Sequence, residues 1–368
     1  MKIDIMTTWN AKCGIATYSA YLAEALQNEG HKIRILAEKK EVLPSGYDPN
    51  FPYKEIPFVE CWNRNQDFQE LINLIKKDRP FAVNIQHQFG LFPYEDNLTE
   101  LLKNLKEMGI KVVLTLHDVI PYTPNMEKYF ESMVKFSDKI IVHNETCKRL
   151  METQWKAGNK VVMIYHGTKI IDVPSVAEAR KILKLPLDKT IILSWGFIWE
   201  SKGLTELIEI FAELKKDTPD LMFIHAGGLH PVFSRGDYLK NILTKAFKLG
   251  IRPKELMITG FVDEKDIGLY FGCSNIIVLN YMRGSASASG AAHRALSSGK
   301  PIVGTDDICI QEIPKFEVPK MDKQSLLKGI KTVLGDSDIQ KSLIKKEKEM
   351  AEKTSWKNTA LEYLRVFA

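Results

Sequence analysis

Residues 280–306, NYMRGSASASGAAHRALSSGKPIVGTD, decide how the chain is read. They follow an apolar run at 276–279 and open into small residues over 285–292. A helix-like segment then ends at Gly299, and a new apolar strand covers 301–304. The order is strand, small-residue turn, helix, strand. Ser and Gly at a helix start leave backbone N–H groups open, and those donors together with the helix dipole favour an anion. The same residues also suit a plain N-cap with close helix–sheet packing.

The alternation extends to both sides. Strands are expected at 2–6, 32–37, around Val59, and at 81–86, 111–116, 139–142 and 161–164. Helices are expected between them at 15–28, 68–77, 97–108, 125–136 and 145–155. A second set has strands at 190–194, 221–226, 256–259 and 276–279, and helices at 205–214, 238–249 and 266–271. Helices at 324–334, 338–353 and 355–366 close the chain, with Ser355 a cap candidate before Trp356. Strands alternating with helices point to parallel sheets covered on both faces. The expected organisation is an N-terminal domain over 1–170, a connector at 171–189 marked by Pro174 and Pro186 and holding a short helix at 175–183, a second domain over 190–352, and a final helix over 353–368.

The composition fits this. The chain has 368 residues, 45% hydrophobic and 26% charged, which describes a globular protein of two ordinary domains. No stretch approaches the ~20 apolar residues of a membrane span. The start, MKIDIMTTWN, lacks the apolar core and cleavage pattern of a signal peptide, so a cytoplasmic protein is expected. Five scattered cysteines fit a reducing compartment, and neither they nor the eight histidines show metal-ligand spacing, so no metal is expected. The net charge of +5 is mild, and in KKEKEMAEK the Glu residues stand at helical spacing from Lys. A weak peripheral contact with the inner face of an anionic membrane is compatible with it.

In an open parallel sheet, ligands bind beyond the carboxyl ends of the strands. That rule selects 7–14, 87–93, 117–121 and 166–169 in the first half, and 196–203, 227–235, 260–263 and 280–290 in the second. His87, His117 and His166 each follow a strand, which predicts a shared polar cleft. Lys202 stands at a helix start, where a cation is unfavourable unless an anion is near. With Ser289 and Gly290 in the same half, it points to a diphosphate. The chain has no GxxxxGK[ST], no GxGxxG in its first turn and no GxSxG, so a P-loop enzyme, a dinucleotide-binding fold and an α/β-hydrolase are not indicated.

Seven stretches in order carry a resemblance. CGIATYSAYLAEAL, NIQHQFGLF, TLHDVIP, IYHGT, WGFIWESKGLTELIEIF, HAGGLHP with RGDYLKNIL, and SGAAHRALSSGKPIVGTD are similar to the retaining glycosyltransferases of family 4, in the branch with QHE-like and HP motifs. The resemblance implies an α/β chain of the GT-B fold, two Rossmann-like doubly wound parallel-sheet domains facing a cleft. It implies transfer of a sugar from a nucleotide-diphosphate donor, UDP- or GDP-linked, to a carbohydrate or glycolipid acceptor, with retention and without metal or other cofactor. His117 would contact the transferred sugar, and Lys202 would neutralise the leaving diphosphate. Gly14, Gly196, Ser289, Gly290 and Ala291 would lie along the donor, with Phe261 and Val262 near its base. The acceptor side would be built around Trp9, Lys12, His87, Phe89 and Tyr122. Nucleic acid is the weakest acceptor class, since no motif for it is present.

Two positions depart from the family pattern. Phe197 or Ile198 stands where an Arg is usual, and Ala286 and Arg294 replace a pair of Glu residues. Arg294 would pair with phosphate or with an acid such as Asp306 or Glu312. Two alternatives stay open, a glycoside phosphorylase using free phosphate and a non-catalytic module that binds sugar or nucleotide.

Overall fold

In the computed structural model of the chain, the apolar runs resolve into two parallel sheets. All residues are described except 44–46, 50, 54, 94, 121–125, 231–235 and 283–286. The described residues group into two compact units.

The first unit comprises Met1–Gly167, Ser285–Gly290 and Thr354–Ala368. In chain order it runs β1 (Lys2–Thr7), α1 (Gly14–Asn28), β2 (Lys32–Glu38), β3 (Phe58–Trp62), α2 (Gln69–Asp78) and β4 (Ala82–His87). It continues with α3 (Glu95–Glu107), β5 (Lys111–Leu116), α4 (Glu127–Phe136), β6 (Lys139–Val142), α5 (Glu145–Thr153) and β7 (Val161–Met163). The seven strands are parallel in the order β3-β2-β1-β4-β5-β6-β7. β4 and β5 are buried almost throughout, as strands covered on both faces must be. Asn144 caps α5 by accepting from the Cys147 N–H at 2.8 Å.

The second unit comprises Thr168–Gly284 and Ala291–Lys353. Its elements are α6 (Val176–Leu183), β8 (Thr190–Trp195), α7 (Leu204–Asp217), β9 (Leu221–Ala226), α8 (Gly236–Lys248), β10 (Leu256–Ile258), α9 (Ile267–Cys273) and β11 (Ile276–Leu279). After α10 (Gly290–Ala295) come β12 (Ile302–Thr305), β13 (Phe316–Val318), α11 (Lys323–Gly335) and α12 (Ser337–Lys353). The strand order is β10-β9-β8-β11-β12-β13, again parallel.

The last helix, α13 (Trp356–Phe367), belongs to the first unit. Ser355 caps it, accepting from the Asn358 N–H at 3.4 Å. Trp356, Ala360, Tyr363, Val366 and Phe367 are buried in the same core as Ala16, Tyr18, Ala20, Leu22 and Leu26 of α1. Gly167 sits so close to the Trp356 indole that a methyl group there would stand 2.3 Å from Cδ2.

The structure changes two expectations. The connector at 171–189 is built into the second unit. Arg180 of α6 is buried, and its guanidinium donates to the carbonyls of Cys273, Leu187 and Lys189 and to Oδ1 of Asn275. A guanidinium with that many acceptors is an anchor, whereas a free connector leaves such a group in water. The edge strand β13 has no counterpart in the sequence reading, because three residues with one buried side chain give no periodic signal. No helix among the described residues is long and apolar enough to cross a membrane.

Candidate functional site

In each sheet the strand order reverses at one place, between β1 and β4 in the first unit and between β8 and β11 in the second. Crevices for ligands form at such reversals. Lys202 follows β8 and Tyr281 follows β11, so both stand at the second reversal.

Local stitching holds Lys202 there. It ends a 3₁₀ turn, Glu200–Lys202, and Gly203 follows in the left-handed region at φ +56°. A methyl group at Gly203 would stand 2.3 Å from Nδ2 and 2.8 Å from the carbonyl oxygen of Asn280, so only glycine fits. Asn280 Nδ2 donates to the Gly203 carbonyl at 2.9 Å, and the Met282 N–H donates to the Ser201 carbonyl at 2.8 Å. Thr305 of β12 fixes Tyr281 from below, accepting from its N–H at 3.1 Å and donating to its carbonyl at 2.7 Å. The outcome is an ammonium, Nζ of Lys202, 3.5 Å from the centre of the Tyr281 ring. No carboxylate lies within 4.0 Å of this Nζ among the described residues. Burial pushes Lys202 down to about 8, against the opposing pull of Cys309 and Asp307. Tyr281 was not singled out in the sequence, because a single tyrosine after a strand carries no pattern.

Aromatic rings gather nearby in the same unit. Phe197 lies 5.2 Å from His230 and 6.4 Å from Phe261 between ring centres. Phe261 is 49% exposed and Val262 is half-buried, so a flat apolar surface is offered at this loop. Gly196 has φ +111° and packs against Ala291. Arg294 pairs with Glu264, Nη1 to Oε2 at 2.9 Å. The acids named for it from the sequence are engaged elsewhere. Glu312 meets Nε2 of the buried His293 at 3.0 Å, and Asp306 accepts from the Lys320 N–H at 2.7 Å. The helix after the small residues is short, six residues of α10 continued by a 3₁₀ turn over Leu296–Ser298.

In the first unit, His117 follows β5. Its backbone N–H donates to the His87 carbonyl at 2.9 Å, and its Nε2 lies 2.8 Å from Oε1 of Gln86. Its ring meets Tyr18 edge-on, centres 4.8 Å apart. His166 meets the same tyrosine at 4.8 Å, and His143 at 5.3 Å. The cluster therefore has His143 as its third histidine. His87, expected there, is adjacent but packs its ring away from Tyr18. It is fully buried, stacks on Phe92 at 5.4 Å and bonds Tyr129 through Nε2 at 2.8 Å. Burial pushes it down to about 3. Neighbouring residues of a strand point to opposite faces, so Gln86 and His87 must part.

The small residues before α10 pack in this unit too. The Ser287 N–H donates to the His117 carbonyl and its Oγ donates to the Leu116 carbonyl, both at 2.8 Å. Ser289 is buried, and Gly290 is exposed beside His166. Gly14, expected along the donor, begins α1 in the open, and of the expected acceptor residues Lys12 is exposed. Trp9 and Phe89 are buried, Trp9 against Phe51 and Phe89 against Phe130, so as packed they present no free ring face. Tyr122 and Ala286 lie outside the described residues.

Comparisons with known proteins agree with this architecture. Residues 13–170 match the family model Glycosyltransferase Family 4, and residues 175–350 match Glycosyl transferases group 1. An uncharacterized glycosyltransferase of Methanocaldococcus jannaschii is 22% identical over 245 residues, which span 63% of this chain and 59% of the relative. Among solved structures, a glycosyltransferase from Rickettsia africae has TM-score 0.79 at 17% identity, covering 100% of this chain and 97% of that one. Anabaena HepE in complex with UDP has TM-score 0.77 at 15% identity, covering 99% of each chain. A sucrose-phosphate synthase from Thermosynechococcus elongatus has TM-score 0.77 at 19% identity, covering 99% of this chain and 98% of that one. With each half matched by a glycosyltransferase model and the fold shared from end to end, the chain is a member of the GT-B glycosyltransferases.

Proposed function

We propose that the protein transfers a sugar from a nucleotide-diphosphate donor, UDP- or GDP-linked, to a carbohydrate or glycolipid acceptor, with retention at the anomeric carbon and without a metal ion. The observation that carries this reading is Lys202, a half-buried ammonium seated on an aromatic ring with no carboxylate within 4.0 Å among the described residues. Asp307 acts on it only from beyond ion-pair distance, so such a group is held ready for a closer anion.

When the bond between the anomeric carbon and the phosphate oxygen breaks, negative charge builds on the departing diphosphate. A fixed cation stabilises that charge more in the transition state than before it. Lys202 takes this role, and the amide of Ala291 in the same unit adds a donor to the phosphate. Phe261 and Val262 offer the base an apolar surface. HepE has been solved with UDP and with UDP-glucose, which supports a nucleotide sugar as donor. All five cysteines are unbridged, which suits a cytoplasmic setting. Calorimetric titration with UDP, GDP and ADP tests the reading. Binding of at least one, lost or much weakened in Lys202→Ala, is expected. Equal affinity in wild type and variant would overturn the assignment of Lys202.

A further inference from the structure

The strand β4 carries a feature that the transfer reaction does not by itself require. Asn84 and Gln86 are fully buried on one face of it, two amides in the middle of a parallel sheet. Buried amides destabilise a fold unless every polar atom is bonded. Here the bonds form a directed chain. Asn84 Nδ2 donates to the Val113 carbonyl at 3.1 Å and to Thr115 Oγ1 at 3.0 Å. A carbonyl oxygen only accepts, so the NH₂ end of Asn84 faces it and Oδ1 faces the other way. Gln86 Nε2 donates to that Oδ1. The Gln86 amide is thereby turned so that its Oε1 meets His117 Nε2 at 2.8 Å. This oxygen also only accepts, so the proton sits on Nε2. Burial, with His143 and His87 close by, holds the His117 ring well below the usual histidine range and so keeps it neutral.

We propose that Asn84 and Gln86 are positioning residues that fix His117 as the Nε2-protonated tautomer. The group His117 offers a ligand is then the bare Nδ1, an acceptor for a sugar hydroxyl and not a donor for a phosphate oxygen. The orientation originates in a backbone carbonyl, that of Val113, and passes through two side-chain amides to the ring. The part concerning the sugar rests on the donor reading above. The part concerning the tautomer does not.

The test uses the full chain with ¹⁵N-labelled histidine and long-range proton–nitrogen correlation spectra at neutral pH, without ligand. His117, assigned by its loss in His117→Ala, is expected to carry its proton on Nε2 alone. A proton on Nδ1, or a mixture of tautomers, overturns the proposal without need of any variant. In Gln86→Met and Asn84→Leu, with folding checked by thermal melting, the two tautomers of His117 are expected to mix. An unchanged single tautomer in both would remove the amides from the role. UDP-glucose and its single-deoxy analogues then supply the ligand arm. One missing hydroxyl is expected to weaken binding about tenfold in wild type, and that penalty should shrink in Gln86→Met. Equal penalties in both proteins would overturn the hydroxyl assignment. If no nucleotide sugar binds, the donor reading falls, and the spectra still decide the tautomer.

Discussion

The two sheets treat the polar groups at their carboxyl ends in opposite ways. In the first unit, polar side chains are joined to one another. Gln86, Asn84 and Thr115 connect His117 to the Tyr363 hydroxyl, 3.0 Å from Thr115 Oγ1, and through it to the Tyr18 hydroxyl at 2.7 Å. In the second unit, Lys202 is set on the Tyr281 ring, with no carboxylate within 4.0 Å among the described residues and Asp307 acting only from farther off. The amide part of this network has one orientation, because the Val113 carbonyl it starts from can only accept. An isolated cation instead stores electrostatic demand, which a ligand's anion meets. On the readings proposed above, one unit aims hydrogen bonds and the other receives charge.

The most direct way to break this contrast is to remove the cation. Lys202→Ala is expected to lower kcat by ~10²-fold or more, as loss of one charge-stabilising group does elsewhere. Turnover close to wild type would end the contrast on the second unit's side.

A pH titration of UDP binding sharpens it. Lys202 has its folded value depressed to about 8, and an anion favours its charged form. Binding should therefore take up protons near pH 8 and weaken severalfold as pH rises through that value. Lys202→Arg should flatten the profile, and a wild-type profile flat between pH 7 and 9 would count against a titrating Lys202.

Gly203→Ala probes the stitching beneath the cation. Its left-handed φ and the contact with Asn280 together should cost about 1–3 kcal/mol. A melting temperature within a degree of wild type would show that the turn yields freely.

Glu347 of α12 tests how far the second unit tolerates an ill-placed acid. It is buried, its Oε1 accepts from the Ile302 N–H at 2.9 Å, and burial pushes it up to about 8. The folded state then holds a proton that the unfolded state releases above the ordinary glutamate value. Stability is lost as pH rises from about 4.5 towards 8. Glu347→Gln should remove that slope and raise the melting temperature at pH 8 by about 3 °C or more. An equal slope in both proteins would overturn it.

The smallest effect belongs to the first unit's network. Tyr363→Phe leaves two hydroxyls one partner short and should cost about 1 kcal/mol in unfolding. A loss several times larger would mean that the ring's packing changes as well.

Much of this was legible in the sequence, and the parts that were not have physical reasons. Strand and helix positions follow from periodicity, with ends off by one to three residues, as at α7, which a 3₁₀ turn over Glu200–Lys202 precedes. Lys202 stood out because a cation at a helix start is a local anomaly. His117 was selected by its place after a strand, and the same rule wrongly grouped His87 with it. The rule marks strand ends but not which face a residue takes. Asn84 and Gln86 did carry a signal, polar residues two apart in an apolar strand, yet nothing local told whether that face was buried. Glu264 as the partner of Arg294, and Tyr363 as the partner of Tyr18, are long-range pairings that no spacing encodes.

The contact of Gly167 with Trp356 has a consequence for how the protein is made. The first unit occupies the start of the chain, yet part of its core is supplied by residues 354–368. At ~5–20 residues per second of synthesis, the face of α1 that α13 covers stays open for roughly 10–40 seconds while the second unit is being added. During that interval the nascent first unit has all seven strands but an uncovered apolar face on α1. A ribosome stalled anywhere between 170 and 350 would hold it in the form most open to chaperones and proteases.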